Sequence, residues 1–304
     1  MKKKAYFILN PYAGKGLIRN HLLDIIDTMV KAGYEMKVYP TQYRGDAIKA
    51  AKACRHKYDL IICSGGDGTL DEVVTGMMQS GVMTPIGYIP AGSTNDFANS
   101  LNLPSNMKKA AQIICQGETF ACDIGDFNND AFVYIAAFGI FTEVAYATPQ
   151  EIKNSIGHMA YVLEAMKQLQ NIKAHKVRVS YEDKVIEDEF IFGMITNSLS
   201  VGGIKKITGK NVDLADGLFE VTLIKAPKNP LELNSILTAL VIQDISTECM
   251  YTFKTRKITF ESLEEEPIAW TLDGEYGGEH MKAVVENRHQ IMKIMVPTVE
   301  EESM

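Results

Sequence analysis

The sequence predicts a two-part chain: an α/β domain built on a parallel sheet, followed by a mainly antiparallel β-sandwich. Three observations lead there. The chain has 304 residues, more than the roughly 100–200 of a typical domain. Its first third alternates short apolar runs with segments of helical periodicity, the pattern of a parallel sheet covered by helices. Beyond about residue 120, strand-like runs follow one another with few helices, the pattern of an antiparallel all-β unit. The expected boundary lies near residue 124, giving domains of 1–124 and 125–304, with the segment from about 295 to 304 left open to rejoin the first.

Ala5–Leu9 reads as a strand and leads into the Gly-containing turn Asn10–Gly16. Ile18, Leu22, Ile25 and Met29 recur near the 3.6-residue period of a helix, which Gly33 stops. Met36–Tyr39 is the second strand, Asp46–His56 the second helix and Asp59–Cys63 the third strand. Thr69–Gln79, Pro85–Ile89 and Asp96–Leu101 continue the alternation as helix, strand and short helix. Phe120–Phe127 and Ala131–Ala137 flank the turn-prone Asn128-Asn129-Asp130 and read as a hairpin. A helix over Ser155–Gln170 follows, then strands at Lys176–Tyr181, Val185–Thr196 and Leu218–Ile224, and a lone helix at Pro230–Val241. Glu248–Glu261, Ile268–Leu272, Lys282–Glu286 and Gln290–Val296 complete the strands.

Composition removes several classes of function. Lys and Arg number 31 against 38 Asp and Glu, a net charge of −7, which argues against wrapping nucleic acid. No apolar run reaches the roughly 18 residues of a membrane helix. The run after Lys2-Lys3-Lys4 is too short for a signal peptide. The five cysteines, at 54, 63, 115, 122 and 249, contain no CxxC pair, so a zinc site or disulfide framework is not expected and a reducing cytoplasm is.

Ser64-Gly65-Gly66-Asp67-Gly68-Thr69 carries the strongest chemical signal. It joins the end of a strand to the start of a helix, where open α/β sheets bind ligands. Its glycines let the backbone approach a bulky anion, and the helix N-terminus offers free N–H groups to phosphate. Thr69 and Glu72 form a T-x-x-E pattern, expected to be a capping box. Asp67 would repel a bare phosphate and makes sense with Mg²⁺ between them. Two more turns belong to the same expected edge. Asn10–Gly16 is not a P-loop, and its Lys15 can balance phosphate charge or be an ordinary solvated lysine. Pro90–Phe97 brings Gly92 with Ser93, Thr94, Asn95 and Asp96, the last two of which can also cap a helix. Thr41 ends the second strand on this edge.

With these residues in view, the sequence resembles the diacylglycerol kinase catalytic-domain family, the bacterial soluble lipid kinases in particular. The resemblance runs through N-P-x-x-G at Asn10–Gly14, G-G-D-G-T at Gly65–Thr69 with Glu72, P-x-G-[ST]-x-N-D-F at Pro90–Phe97, D-G-L at Asp216–Leu218 and L-D-G-E at Leu272–Glu275. G-G-D-G-T alone is also similar to the loops of NAD kinases and phosphofructokinases. The resemblance implies ATP as donor and a lipid hydroxyl as acceptor, diacylglycerol giving phosphatidate first among them. A related kinase on a soluble acceptor such as NAD, and a catalytically silent nucleotide-binding regulator, are the alternatives.

The resemblance further implies nucleotide binding, in a cleft between the domains, by Asn10, Pro11, Tyr12, Ala13, Gly14, Thr41, Gly66, Asp67, Gly68, Thr69, Leu70, Asp71, Glu72, Ser93 and Thr94. Lys15, Asn95 and Asp96 line the same cleft. Asp273 and Glu275 are implied as candidates for the general base, with Asp67 as the further catalytic carboxylate. Mg²⁺ accompanies ATP, and a second, structural Mg²⁺ is implied at the side chain of Asp216 and the carbonyls of Asp213 and Leu218. Read locally, Asp273-Gly274 is a hairpin turn and Asp213–Leu218 a turn before a strand. Lys167 falls on the polar side of the Ser155–Gln170 helix, and Trp270 reads as core. A cytoplasmic protein making transient contact with a membrane surface is expected, through Lys2–Lys4, Lys49–Lys57 or Lys205-Lys206-Lys210. Covalent lipid anchoring is not implied, and homodimerisation stays open.

Overall fold

The structure, a computed structural model, describes residues 2–140, 173–201, 204–205, 212–242 and 248–298. The expected helix at Ser155–Gln170, with Lys167, lies outside the described residues, as do Lys206 and Lys210. The chain divides into two compact units. One runs to Ile124 and takes the chain up again at His289; the other is Gly125–Arg288.

The first unit is a parallel α/β layer. Strands β1 (Lys3–Leu9), β2 (Tyr34–Pro40), β3 (Leu60–Gly65) and β4 (Ile86–Pro90) alternate with helices α1 (Ile18–Lys31), α2 (Asp46–Lys52) and α3 (Asp67–Ser80). Helices α4 (Asp96–Ser100) and α5 (Met107–Gln116) follow β4. The strands stand in the order β2-β1-β3-β4, all parallel. β1 and β3 are buried along their apolar runs, as expected where helices cover a parallel sheet. Ile18, Ile25 and Met29 of α1 pack with Phe7, Leu9 and Ile62 in one core. α2 ends at Lys52, four residues short of His56, because Cys54–Lys57 already turns toward β3. The sequence reading passed over α5. Asn106 caps it through Lys108 N–H and Lys109 N–H, at 3.0 and 3.1 Å, and Met107, Ala110, Ala111 and Ile114 are its buried face. Their i, i+3, i+4, i+7 spacing was the signal available.

The second unit is antiparallel. Its elements begin in β5 (Glu118–Phe127), which enters from the first unit, then β6 (Asp130–Phe132), β7 (Ile135–Gly139), β8 (His175–Tyr181) and β9 (Lys184–Thr196). A short pair, β10 (Ser200–Val201) and β11 (Ile204–Lys205), precedes β12 (Phe219–Lys225), α6 (Pro230–Ile242) and β13 (Met250–Thr255). β14 (Lys257–Ser262), β15 (Ile268–Leu272), β16 (Glu275–His280) and β17 (Lys282–Val296) close the order. β9 lies against β8 over its first half and against β7 and β12 over its second. Burial follows: the first half alternates and the second is buried throughout. Trp270 is fully buried, with ring centroids of Phe127 and Phe138 at 4.9 Å and Phe260 at 5.1 Å, and is core.

Four expected strands differ in extent. The hairpin turn forms at Asn128 and Asn129, both at positive φ, but its second arm breaks into β6 and β7. Glu248–Glu261 is two strands parted at Arg256, because β13 pairs with β12 while β14 pairs with β8 and β17. The runs Lys282–Glu286 and Gln290–Val296 are one strand, β17, with Gln290 left-handed within it at φ 50°. The end of β17 pairs in parallel with β4, Ile294 opposite Ile86, within the first unit.

Candidate active site

Three loops meet at the carboxyl ends of β1, β3 and β4. Asn10 N–H donates to Ser64 O at 2.8 Å, and Ala91 N–H donates to Gly65 O at 2.8 Å. Their backbones touch closely enough to require glycine at two points. A Cβ on Gly92 would stand 2.6 Å from Gly66 Cα, and one on Gly14, at φ +54°, would stand 2.4 Å from Ala91 O. Gly65 is needed for another reason: a Cβ there would stand 2.3 Å from the Thr69 side chain. Asn10 Nδ2 reaches that same Thr69 hydroxyl at 3.4 Å. Thr41 joins the edge through its N–H, which donates to Leu9 O at 2.8 Å.

The turn after β1 is shaped by its own side chain, since Tyr12 N–H donates to Asn10 Oδ1 at 2.9 Å. Pro11 is half-buried, Ala13 buried, and Tyr12, Gly14 and Lys15 are exposed. Ser93 and Thr94 are exposed on the loop after β4. Asn95 does not cap α4 with its side chain. Its Oδ1 accepts from Gly92 N–H at 2.8 Å and its Nδ2 donates to Gly92 O at 3.0 Å, closing the turn on itself.

α3 begins at Asp67, with Gly66 as its N-cap. Gly68 is half-buried, Leu70 is fully buried on the core side, and Asp71 is half-buried. Thr69 and Glu72 do not form the expected capping box. Thr69 N–H bonds back to Gly66 O at 3.0 Å, and Glu72 turns to a different helix. Its Oε1 accepts from Gly45 N–H at 2.7 Å and its Oε2 from Ala47 N–H at 3.2 Å, at the start of α2. A carboxylate is well placed at a helix N-terminus, so Glu72 fixes the loop that carries Thr41. Asp46, buried, fixes it from the other side by accepting from Gln42 N–H at 2.8 Å and Tyr39 OH at 3.0 Å.

Asp67 is the buried carboxylate of this edge. Its Oδ2 accepts the first N–H of α4, from Asp96, at 3.1 Å. Its Oδ1 is buried and meets no aligned donor. Burial pushes the Asp67 carboxyl up to about 6, and the neighbouring charge of Asp96 adds to the rise. A buried carboxylate with an unsatisfied oxygen at a loop junction suits a cation on that oxygen.

In the second unit, Asp273 and Gly274 form a two-residue hairpin turn between β15 and β16, both at positive φ, 50° and 81°. That is the backbone of a type I′ turn. The Asp273 side chain does more than turn the chain. Its Oδ2 accepts from Val133 N–H at 2.6 Å, and its Oδ1 from Tyr134 and Ile135 N–H at 3.0 and 2.9 Å. These amides span the break at Val133 and Tyr134 and the first residue of β7, so one carboxylate explains why that strand divides. These three bonds fix the Asp273 carboxylate in place. Glu275 is exposed at the first position of β16.

The segment expected to hold a structural cation is closed by its own bonds. Asp213 Oδ1 accepts from Ala215 N–H at 3.0 Å, and Asp216 Oδ1 from Leu218 N–H at 2.9 Å. Asp216 Oδ2 pairs with Lys254 Nζ at 3.0 Å, and the same ammonium lies 2.9 Å from Glu220 Oε1. Burial raises the Glu220 carboxyl above its ordinary value, against the pull of Lys254. Both Asp216 oxygens have partners, so a divalent ion on Oδ2 would have to displace the Lys254 ammonium. Among the described residues no group of three or more His, Cys, Asp and Glu is arranged to hold one. The sequence reading did not single out Lys254 or Glu220, whose partners lie far along the chain.

Residues 4–127 match the family model of the diacylglycerol kinase catalytic domain, and residues 135–296 that of the YegS C-terminal NAD kinase beta sandwich-like domain. A diacylglycerol kinase of Staphylococcus epidermidis RP62A is 35% identical over 299 residues, covering 98% of this chain and 93% of that protein. The diacylglycerol kinase of Bacillus subtilis 168 is 34% identical over 278 residues, 91% of each chain. A solved structure of a diacylglycerol kinase-like protein from Bacillus anthracis str. Sterne superposes with a TM-score of 0.83 at 26% identity, covering 97% of this chain and 95% of that one. The α/β layer, the antiparallel β unit and these likenesses agree: the chain belongs to the diacylglycerol kinase family and is a kinase, a phosphotransferase with an alcohol group as acceptor.

Proposed function

We propose that the protein transfers the γ-phosphoryl group of Mg-ATP to the hydroxyl of a lipid, diacylglycerol first among them, yielding phosphatidate. The observation that carries this reading is the loop junction of the first unit, with the Asp67 Oδ1 buried at its centre and lacking an aligned donor. Asn10–Gly14, Thr41, Gly66–Glu72 and Ser93–Thr94 form the nucleotide site in this proposal. Gly14, Gly66 and Gly92 let the three loops pack together at the strand ends, and the first amides of α3 add donors for the phosphates. Lys15, exposed on the first loop, offsets phosphate charge. Glu72 and Asp46 act one step back by holding the Thr41 loop.

Asp67 is the residue to hold Mg²⁺ with ATP, and the ion supplies charge neutralisation on the transferring phosphoryl group. Its elevated pKa describes the chain without a cation; a positive charge on Oδ1 would favour the ionised form. In the second unit, Glu275 is the general base toward the acceptor hydroxyl and Asp273 its positioning residue. The assignment follows from exposure: Asp273 is buried and held by three amides, whereas Glu275 is exposed at the head of β16. No helix among the described residues is long and apolar enough to cross a membrane, and the proposal requires only transient contact with a lipid surface.

The test is a panel of acceptors with labelled ATP and Mg²⁺: diacylglycerol, a sphingoid base, phosphatidylglycerol and a polyprenol in micelles, and NAD without detergent. Label in a lipid supports the reading. Label in NAD alone, or ATP binding with no transfer to any acceptor, overturns it.

A further inference from the structure

The segment 212–218 and the strands beside it carry an internal cation. Glu220, in β12, is 7% exposed, and Asp216 lies three residues before the start of that strand. β12 pairs antiparallel with β13, with Glu220 opposite Lys254. The register therefore delivers one ammonium to two carboxylates, at 2.9 Å from Glu220 and 3.0 Å from Asp216. Glu220 is poorly placed without it. A nearly buried carboxylate needs a compensating charge, and like charges this close would otherwise repel. The remaining Asp216 oxygen accepts from Leu218 N–H, and Asp213 Oδ1 accepts from Ala215 N–H.

We propose that Lys254 is the resident cation of this turn, occupying by its Nζ the role that a divalent ion would fill at Asp216, so that the fold of the second unit needs no metal there. A divalent ion on Asp216 Oδ2 would have to share that oxygen with an ammonium already 3.0 Å away, and two cations at one carboxylate oxygen repel each other. The converse also holds. With Lys254 removed, Asp216 and Glu220 are left as two carboxylates of oxygen chemistry suited to a hard cation, and the turn becomes a site for Mg²⁺. This claim concerns stability and ion binding and does not depend on which acceptor the enzyme phosphorylates.

The experiment compares wild-type protein, Lys254→Met, Lys254→Arg, Asp216→Asn and the double variant Lys254→Met with Asp216→Asn, all without nucleotide. Thermal unfolding is followed in EDTA and in millimolar MgCl₂, and Mg²⁺ binding is measured by calorimetry. The wild type and Lys254→Arg are expected to unfold at the same temperature in both buffers. Lys254→Met is expected to lose roughly 5 °C in EDTA and to regain at least half of that with Mg²⁺, and the double variant to regain nothing. A saturable Mg²⁺-dependent rise in wild-type melting temperature that Asp216→Asn abolishes would overturn the proposal. So would a Lys254→Met protein that melts with the wild type, or that loses stability and gains none back from Mg²⁺. Should Lys254→Met not fold, the wild-type calorimetry decides alone: Mg²⁺ binding that Asp216→Asn removes overturns the proposal, and its absence upholds it.

Discussion

Asp67→Asn should stabilise the nucleotide-free protein at neutral pH while abolishing its activity. Burial raises the Asp67 carboxyl from 3.8 to about 6, so ionising it in the folded chain costs about 3 kcal/mol more than in the unfolded chain. The sign follows from linkage. An acid with a folded pKa above its unfolded value holds its proton longer when folded, so the folded chain loses stability as pH rises from about 4 to about 6, with no further change above. Asparagine removes that loss, and its carbonyl can still accept the Asp96 N–H that Asp67 Oδ2 accepts at 3.1 Å. Its new NH₂ must find an acceptor, which offsets part of the gain. The expected gain at pH 7.5 is about 1.5–3 kcal/mol, shrinking toward zero near pH 4. Urea unfolding from pH 4 to pH 8 measures it. Far-ultraviolet circular dichroism is the suitable probe, because the single tryptophan, Trp270, belongs to the second unit. Mg-ATP should reverse the order by stabilising the wild type more than the variant. An Asp67→Asn protein less stable than wild type at pH 7.5, or a gap that does not change with pH, would refute the reasoning.

Four other substitutions separate chemistry from architecture. Glu275→Gln should lower kcat roughly a hundredfold with ATP affinity and melting temperature unchanged, whereas Asp273→Ala, which strips the acceptor from three amides, should cost about 3 kcal/mol of stability; equal melting of Asp273→Ala and wild type would remove its positioning role. Gly92→Ala places a Cβ 2.6 Å from Gly66 Cα, so ATP affinity by calorimetry should fall at least about tenfold, with a loss of about 1–3 kcal/mol in stability. Glu72→Ala frees the Gly45 and Ala47 amides and should cost about 1–2 kcal/mol in urea unfolding, raising KM for ATP more than it lowers kcat because the Thr41 loop loosens.

The fold class was legible because it is written in local patterns. The apolar face of α1, the apolar runs of β1, β3 and β4, and the Asn128-Asn129 turn each declare themselves within a dozen residues. The three loops at the strand ends could be placed together for the same reason, since parallel strands bring their carboxyl ends to one edge. What local patterns hide is which distant group a side chain meets. Glu72 stands three residues from Thr69, and the capping-box reading followed from that spacing, yet its partners are 25 and 27 residues back. The division of β6 from β7 depends on a carboxylate 138–140 residues away. Lys254 became visible only through the register of β12 with β13. α5 is a different case: its cap and its periodic face were in the sequence and could have been read.

The most direct test of phosphoryl transfer to a lipid is product identification. Diacylglycerol in mixed micelles, ATP labelled in the γ-phosphoryl group and Mg²⁺ are incubated with wild-type protein and with Glu275→Gln, and the lipid fraction is resolved by mass spectrometry. Labelled phosphatidate from the wild type, reduced roughly a hundredfold in the variant, is the predicted result. Wild-type protein that binds ATP and leaves diacylglycerol and every other lipid alcohol unlabelled would contradict it.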